Sequence, residues 1–247
     1  KLDDYMGINE HLRQEGRSTT GEMILGLPGE TKTSFKSGVE KIISSGVSVV
    51  TVYSLMMLYG TEFQDPKYRD KFAYDGRYRI VPLNFGEYDG ERIFDYEEVG
   101  IASKDLSFDD YLELRRFALV TETLHNNRPF EAFFRYAISL GQSRFQFLNR
   151  VFNSLEDAPE EVRKVVDNFM AETRSELWPS DTDMINHYQQ DDNYQNLLAG
   201  EVGGNLIYKY KSMSLALTIP HWIAFLITQL KQVAIESLGD TLKFENA

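Results

Sequence analysis

A chain of 247 residues with 42% hydrophobic and 26% charged residues has enough apolar material for a substantial core and the balance of an ordinary globular protein. Its formal net charge of -12 disfavours a sequence-independent grip on nucleic acid, which needs a basic surface. The lack of cysteine excludes disulfides, thiolate metal sites and any cysteine-ligated iron–sulfur cluster within these residues, and fits a cytoplasmic address.

Lys1 to Glu15 is polar and charged rather than an apolar h-region, so no signal peptide is expected. Leu2, Met6, Ile8 and Leu12 recur among these charges as on an amphipathic helix, with Gly16 as its stop. Because the first residue, Lys1, already lies inside that helix, the chain is expected to be the tail of a longer polypeptide.

Gly21-Glu-Met-Ile-Leu-Gly-Leu-Pro-Gly-Glu-Thr31 is the organising stretch of the N-terminal part. Apolar residues run into Gly26, Pro28 and Gly29, and a helical pattern covers 31–45, so a buried strand, a tight turn and a helix are predicted. A second apolar run, Val47 to Leu58, suits a parallel strand covered on both faces. Ligands of α/β folds sit at the C-terminal ends of parallel strands, which directs attention to 22–30 and 53–61.

Residues 61–100 are rich in Tyr, Asp, Arg and Gly, with short β-like runs at Tyr78–Val81 and Arg92–Tyr96. Such an insertion after a strand end is often functional. Ser107-Phe-Asp-Asp110 predicts a capped helix to about Leu124. The remainder reads as helices over 128–140, 144–155, 160–177, 180–198, 206–217 and 221–238. A change of composition near residue 126 divides an α/β part from a helical part.

Several patterns have competing readings. Gly26 to Thr33 fits a phosphate loop except that Thr31 stands where the second glycine belongs, and Glu30 adds a carboxylate beside the anion. Asp183, His187 and Asp191 would share one stripe of a helix and could hold a divalent metal, although a solvated face with a local ion pair is favoured. Phe130, Phe133, Phe134, Tyr136, Phe145, Phe147 and Phe152 read as core more readily than as a substrate pocket. Trp222 to Ile235 reads as a buried helix rather than a membrane-surface one, and its apolar run is too short to span a bilayer.

Ile24-Leu-Gly-Leu-Pro-Gly-Glu-Thr31, then Ser34-Phe35, Val52-Tyr53-Ser-Leu55 and Gly60-Thr61, resembles the later half of a radical S-adenosylmethionine (SAM) enzyme. Members commonly show a "GLPGET" turn after the fifth barrel strand and a "Y-x-L…GT" ending after the sixth. The stretch Phe94-Asp-Tyr…Ser103…Leu106-Ser-Phe-Asp-Asp-Tyr111 is similar to the crossing segment of members that carry a cobalamin-binding domain, which brings cobalamin in as a further cofactor. The resemblance is clear over 1–61 and weaker to about 125.

It implies an incomplete (β/α) barrel at 1–61, a crossing insertion and final barrel-packing helix at 62–125, and an α-helical region at 126–247. It also implies that Ile24 lies against the SAM adenine beside the motif glycine Gly26, that Glu22 is a further binding carboxylate, and that Ser54 makes a backbone contact to adenine. The three cysteines that hold the family's [4Fe-4S] cluster are absent, as are the strands that bind the methionine and ribose parts. The fragment alone is therefore expected to be inactive, with the preceding part of the same polypeptide as its partner and a small molecule as substrate. The open strand edge would pair either with a second copy or with a segment from 61–100. The alternatives are a non-enzymatic helical interaction module and a P-loop-like nucleotide binder.

Overall fold

The computed structural model describes residues 7–245 apart from 10 and 13, and side chains as far as 237. Of the helix expected over 2–15, residues 7–9, 11, 12 and 14 are helical, and 1–6, 10 and 13 lie outside the described residues. Gly16 ends it in the left-handed region (φ 73°), with the Arg17 N–H bonded to the Leu12 carbonyl.

The predicted strand–helix–strand unit is present, but its strands are buried on one face only rather than covered on both, and the second ends at Ser54 instead of running to Leu58. Strand β1 (Thr20–Leu25) pairs in parallel with β2 (Val49–Ser54), in register from Thr20 opposite Val49 to Leu25 opposite Ser54. Helix α1 (Lys32–Ser44) joins them, opened by a capping box between Thr31 and Ser34. Its buried residues Phe35, Val39 and Ile43 recur every four positions, the spacing that lays one stripe on a sheet.

The turn between β1 and α1 needs its glycines. Gly26 has φ 103°, and a Cβ there would stand 3.3 Å from the Gly100 carbonyl oxygen. Gly29 has φ 76° with open space around it. Gly29→Val should therefore cost about 1–3 kcal/mol through backbone strain alone. Chemical denaturation measures this, and an unchanged midpoint would mean that the turn relaxes freely.

Residues 61–100 are more regular than the sequence indicates. A short helix, α2 (Pro66–Phe72), is followed by a long antiparallel hairpin, β3 (Asp75–Tyr88) and β4 (Glu91–Ala102). The two-residue turn Asp89-Gly90 has φ 52° and 83°, as a primed hairpin turn requires. The hairpin joins the end of β2 through two backbone hydrogen bonds, Met57 N–H to Glu98 (2.8 Å) and Gly100 N–H to Leu55 (2.9 Å). Among the described residues no strand pairs with the outer edge of β1.

Helix α3 (Phe108–Leu124), capped by Ser107 and Asp110 as predicted, is buried on nearly every side. Against it pack α5 (Arg144–Asn153), α6 (Glu160–Ser175) and α9 (Leu206–Leu217), while α4 (Glu131–Ser139) and α10 (Ile219–Glu245) pack on each other and on α5 in an outer layer. One continuous core runs from Leu25 and Val50 through Phe117 to Phe147 and Trp222, across the composition change near 126. The helix expected over 180–198 is two, α7 (Asp181–Tyr188) and α8 (Asp191–Leu198), which close a smaller core of Ile80, Phe94, Met184 and Tyr194 against the hairpin. The class is mixed α/β with a helical majority.

Candidate functional site

In a parallel pair, residues in register point to the same side. Glu22 and Ile24 of β1 thus share a face with Thr51 and Tyr53 of β2, and that face is open: Ile24 is 43% and Tyr53 48% exposed. Exposed Leu27, Met56 and Leu58 continue the apolar surface at the strands' C-terminal ends. Ser54 lies on the opposite, buried face, with its Oγ 2.9 Å from the Tyr111 hydroxyl. The four residues singled out from the sequence therefore divide. Glu22 and Ile24 line the open face, Gly26 makes the turn, and the Ser54 side chain is part of the core.

The turn itself is closed to a phosphate. The Gly26 N–H donates to Glu30 Oε2 at 2.8 Å, and its carbonyl accepts from the Tyr74 hydroxyl at 2.9 Å. Burial pushes the Glu30 carboxyl up, partly offset by the backbone N–H groups of Gly26 and Leu27. Lys32 turns to Glu113 (2.8 Å) and Asp110 (3.0 Å), so the cation of a phosphate loop is already engaged.

A cavity of about 350 Å³ lies beside β2, between α3, the hairpin and the start of α9. The Leu55 N–H bonds the Leu25 carbonyl, and alternation along the ladder then turns the backbone groups of Val50, Val52 and Ser54 away from β1. Val50 is served by Asn126, whose Oδ1 accepts from the Val50 N–H (2.9 Å) and whose Nδ2 donates to its carbonyl (3.0 Å). Asn126 also bonds Glu122, and Glu122 accepts from Lys211 at 2.6 Å.

On the hairpin side Arg79 bridges Glu97 (2.5 Å) and Glu176 (3.1 Å). Burial would lower the Arg79 pKa, but Glu176 and Glu97 more than offset that and raise it. Arg115, Ala118 and Glu122, at i, i+3 and i+7, present one stripe of α3 to the cavity.

The sequence did not flag this stripe, because Arg115 and Glu122 resemble the solvated side of an amphipathic helix. The available signal was their setting: Leu112 to Leu124 places apolar residues all round the helix, leaving no wet side for charges.

The stripe of candidate metal ligands does not form. Asp183 and His187 belong to α7 and Asp191 to α8, because the chain breaks at Gln189 and Gln190. Asp191 pairs with Arg92 of the hairpin at 2.7 Å, a long-range ion pair rather than the local one expected, and the His187 ring lies 4.8 Å from that of Trp178. Among the described residues no group of three or more His, Asp or Glu is arranged to hold a metal. Phe130, Phe134, Phe145, Phe147 and Phe152 are core, Phe133 packs against it, and Tyr136 is exposed. Trp222, Phe225, Leu226 and Val233 of α10 are buried, and among the described residues no single helix is long and apolar enough to cross a membrane.

Neither a scan against models of known protein families nor a comparison with curated proteins finds a match to this chain.

Proposed function

We propose that this chain is the C-terminal part of a radical SAM enzyme, contributing the adenine side of the SAM site and part of the substrate cavity. The observation that carries the reading is the open inner face of the β1–β2 pair. A globular protein seldom leaves a parallel strand pair bare on one face, since parallel sheets are normally covered on both. In a barrel that face looks inward, and earlier strands of the same polypeptide would cover it and pair with the outer edge of β1.

The residues present suit one half of the cofactor chemistry. Ile24, flanked by Tyr53, offers an exposed apolar surface to a flat ring, with Glu22 one step along the same face. Ser54 would contribute through its backbone, its side chain being held by Tyr111. A [4Fe-4S] cluster, when bound, supplies the electron that cleaves SAM, and its thiolate ligands must come from outside these residues, which contain no cysteine. The helical region 126–247 backs the strand unit through α3.

The coding sequence upstream of Lys1 tests the proposal first: it should encode C-x-x-x-C-x-x-C ahead of further strand–helix units. In the polypeptide that includes them, Ile24→Asp should weaken SAM binding roughly 10-fold or more, because a carboxylate replaces apolar contact with the base. An upstream region without the cysteines, or an Ile24→Asp protein with unchanged SAM affinity, counts against it.

A further inference from the structure

The cavity beside β2 is lined by a cation that forms no ion pair among the described residues. Arg115 is 4% exposed, yet among the described residues its side chain makes no hydrogen bond or ion pair, and its Nε is buried without a partner. Its guanidinium lies 5.7 Å from the centre of the Phe169 ring. A ring face offers no lone pair, so this contact gives the guanidinium no conventional hydrogen-bond acceptor. Buried donors of that kind are almost always satisfied.

The other charged side chains of the wall are engaged with partners other than Arg115. Arg79 stands between Glu97 and Glu176, and Glu122 is held by Lys211 and Asn126. Among the described residues none of these carboxylates lies within ion-pair distance of Arg115.

We propose that this cavity is a binding site for a small monocarboxylate. Its carboxylate is held by the Arg115 fork, and its apolar body lies against Val52, Met56, Ala118 and Leu206, which line the same space. A planar guanidinium matches a carboxylate with two parallel hydrogen bonds. Among the described residues Arg115 is the one wall cation free of a carboxylate, so the site offers a single positive charge, which suits a monoanion better than a dianion such as phosphate. The volume of about 350 Å³ sits at the small end of ligand pockets. The inference stands apart from the barrel reading, and its test needs neither SAM nor a cluster.

The test is calorimetric titration of the 247-residue chain with acetate, isovalerate and benzoate, against benzamide and inorganic phosphate, with amide NMR shifts to locate binding. At least one monocarboxylate should bind saturably, one per chain, shifting Val52 and Ala118. Benzamide and phosphate should bind roughly 10-fold more weakly or not at all. Arg115→Lys should weaken the carboxylate about 10-fold, since it keeps the charge and loses the fork. Should that variant fail to fold, the carboxylate–amide comparison on the unaltered chain still decides. Equal binding of benzoate and benzamide, tighter binding of phosphate, shifts confined to another surface, full affinity in Arg115→Lys, or no saturable binding of any carboxylate would each overturn the proposal.

Discussion

Replacing Asn126 by leucine is expected to destabilise the protein by about 2–5 kcal/mol, because one side chain satisfies several buried groups at once. Asn126 is fully buried at the end of α3. Its amide acts as a further peptide unit on the free edge of β2, accepting from the Val50 N–H and donating to the Val50 carbonyl. Leucine of similar size leaves both backbone groups buried without partners and removes one donor from Glu122. An unsatisfied buried group costs about 1–3 kcal/mol, which outweighs the apolar gain of the leucine itself. Asn127 and Arg128, both in the left-handed region at φ 56° and 55°, turn the chain sharply after this position. Urea denaturation reads the effect directly. A loss below about 1 kcal/mol would mean that water enters and replaces the amide.

Acid is expected to destabilise the fold through His125, by about 3 kcal/mol between neutral pH and pH 4. The ring is 1% exposed, and neither nitrogen has a well-formed hydrogen bond. Burial, helped by the positive charges of Arg144 and Arg128, pushes the imidazole down to about 4 from its ordinary 6.5; the Val47 backbone counters this only in part. Above pH 6.5 neither the folded nor the unfolded chain holds the proton, so stability does not depend on this group. Below 6.5 the unfolded chain takes up a proton that the folded one refuses, and stability falls until the folded ring itself titrates near 4. About 2 kcal/mol of the loss should be present by pH 5. His125→Leu removes the titration, so its change in urea midpoint between pH 7 and pH 5 should be smaller than that of the unaltered chain by that amount. The pH slope is diagnostic here, since a side-chain exchange in the core also alters the baseline stability. An identical slope in both proteins would mean that the buried ring accepts a proton easily.

Neither position stands out in the sequence. His125 and Asn126 follow a helix and read as its polar end, and their burial depends on β2, more than 70 residues earlier, lying against α3. What is local was legible: the capping residues Thr31, Ser107 and Ser143 mark three helix starts, and Gly26 and Gly29 mark the turn that makes β1 and β2 parallel. The hairpin of β3 and β4 was underestimated, although Asp89-Gly90 is the dipeptide such a turn prefers. Its strands carry Tyr, Arg and Glu on both sides, so alternation of apolar and polar residues is weak. The break at Gln189 and Gln190 has no glycine or proline to announce it; packing of Tyr188 and Tyr194 on Phe94 sets it. The cavity was invisible for the same reason as His125. It is bounded by elements far apart in the chain, and the ion pairs that line it resemble surface charges until the pairing is known.

The proposal that the open face of β1 and β2 belongs to a radical SAM barrel is tested most directly by product formation. The polypeptide extending N-terminally from Lys1, reconstituted anaerobically with iron and sulfide, should release 5′-deoxyadenosine from SAM under dithionite, detected by mass spectrometry. The 247 residues alone, treated identically, should stay colourless and release none. Release of 5′-deoxyadenosine by the 247-residue chain, or none from a longer polypeptide with its cluster fully assembled, would contradict the account.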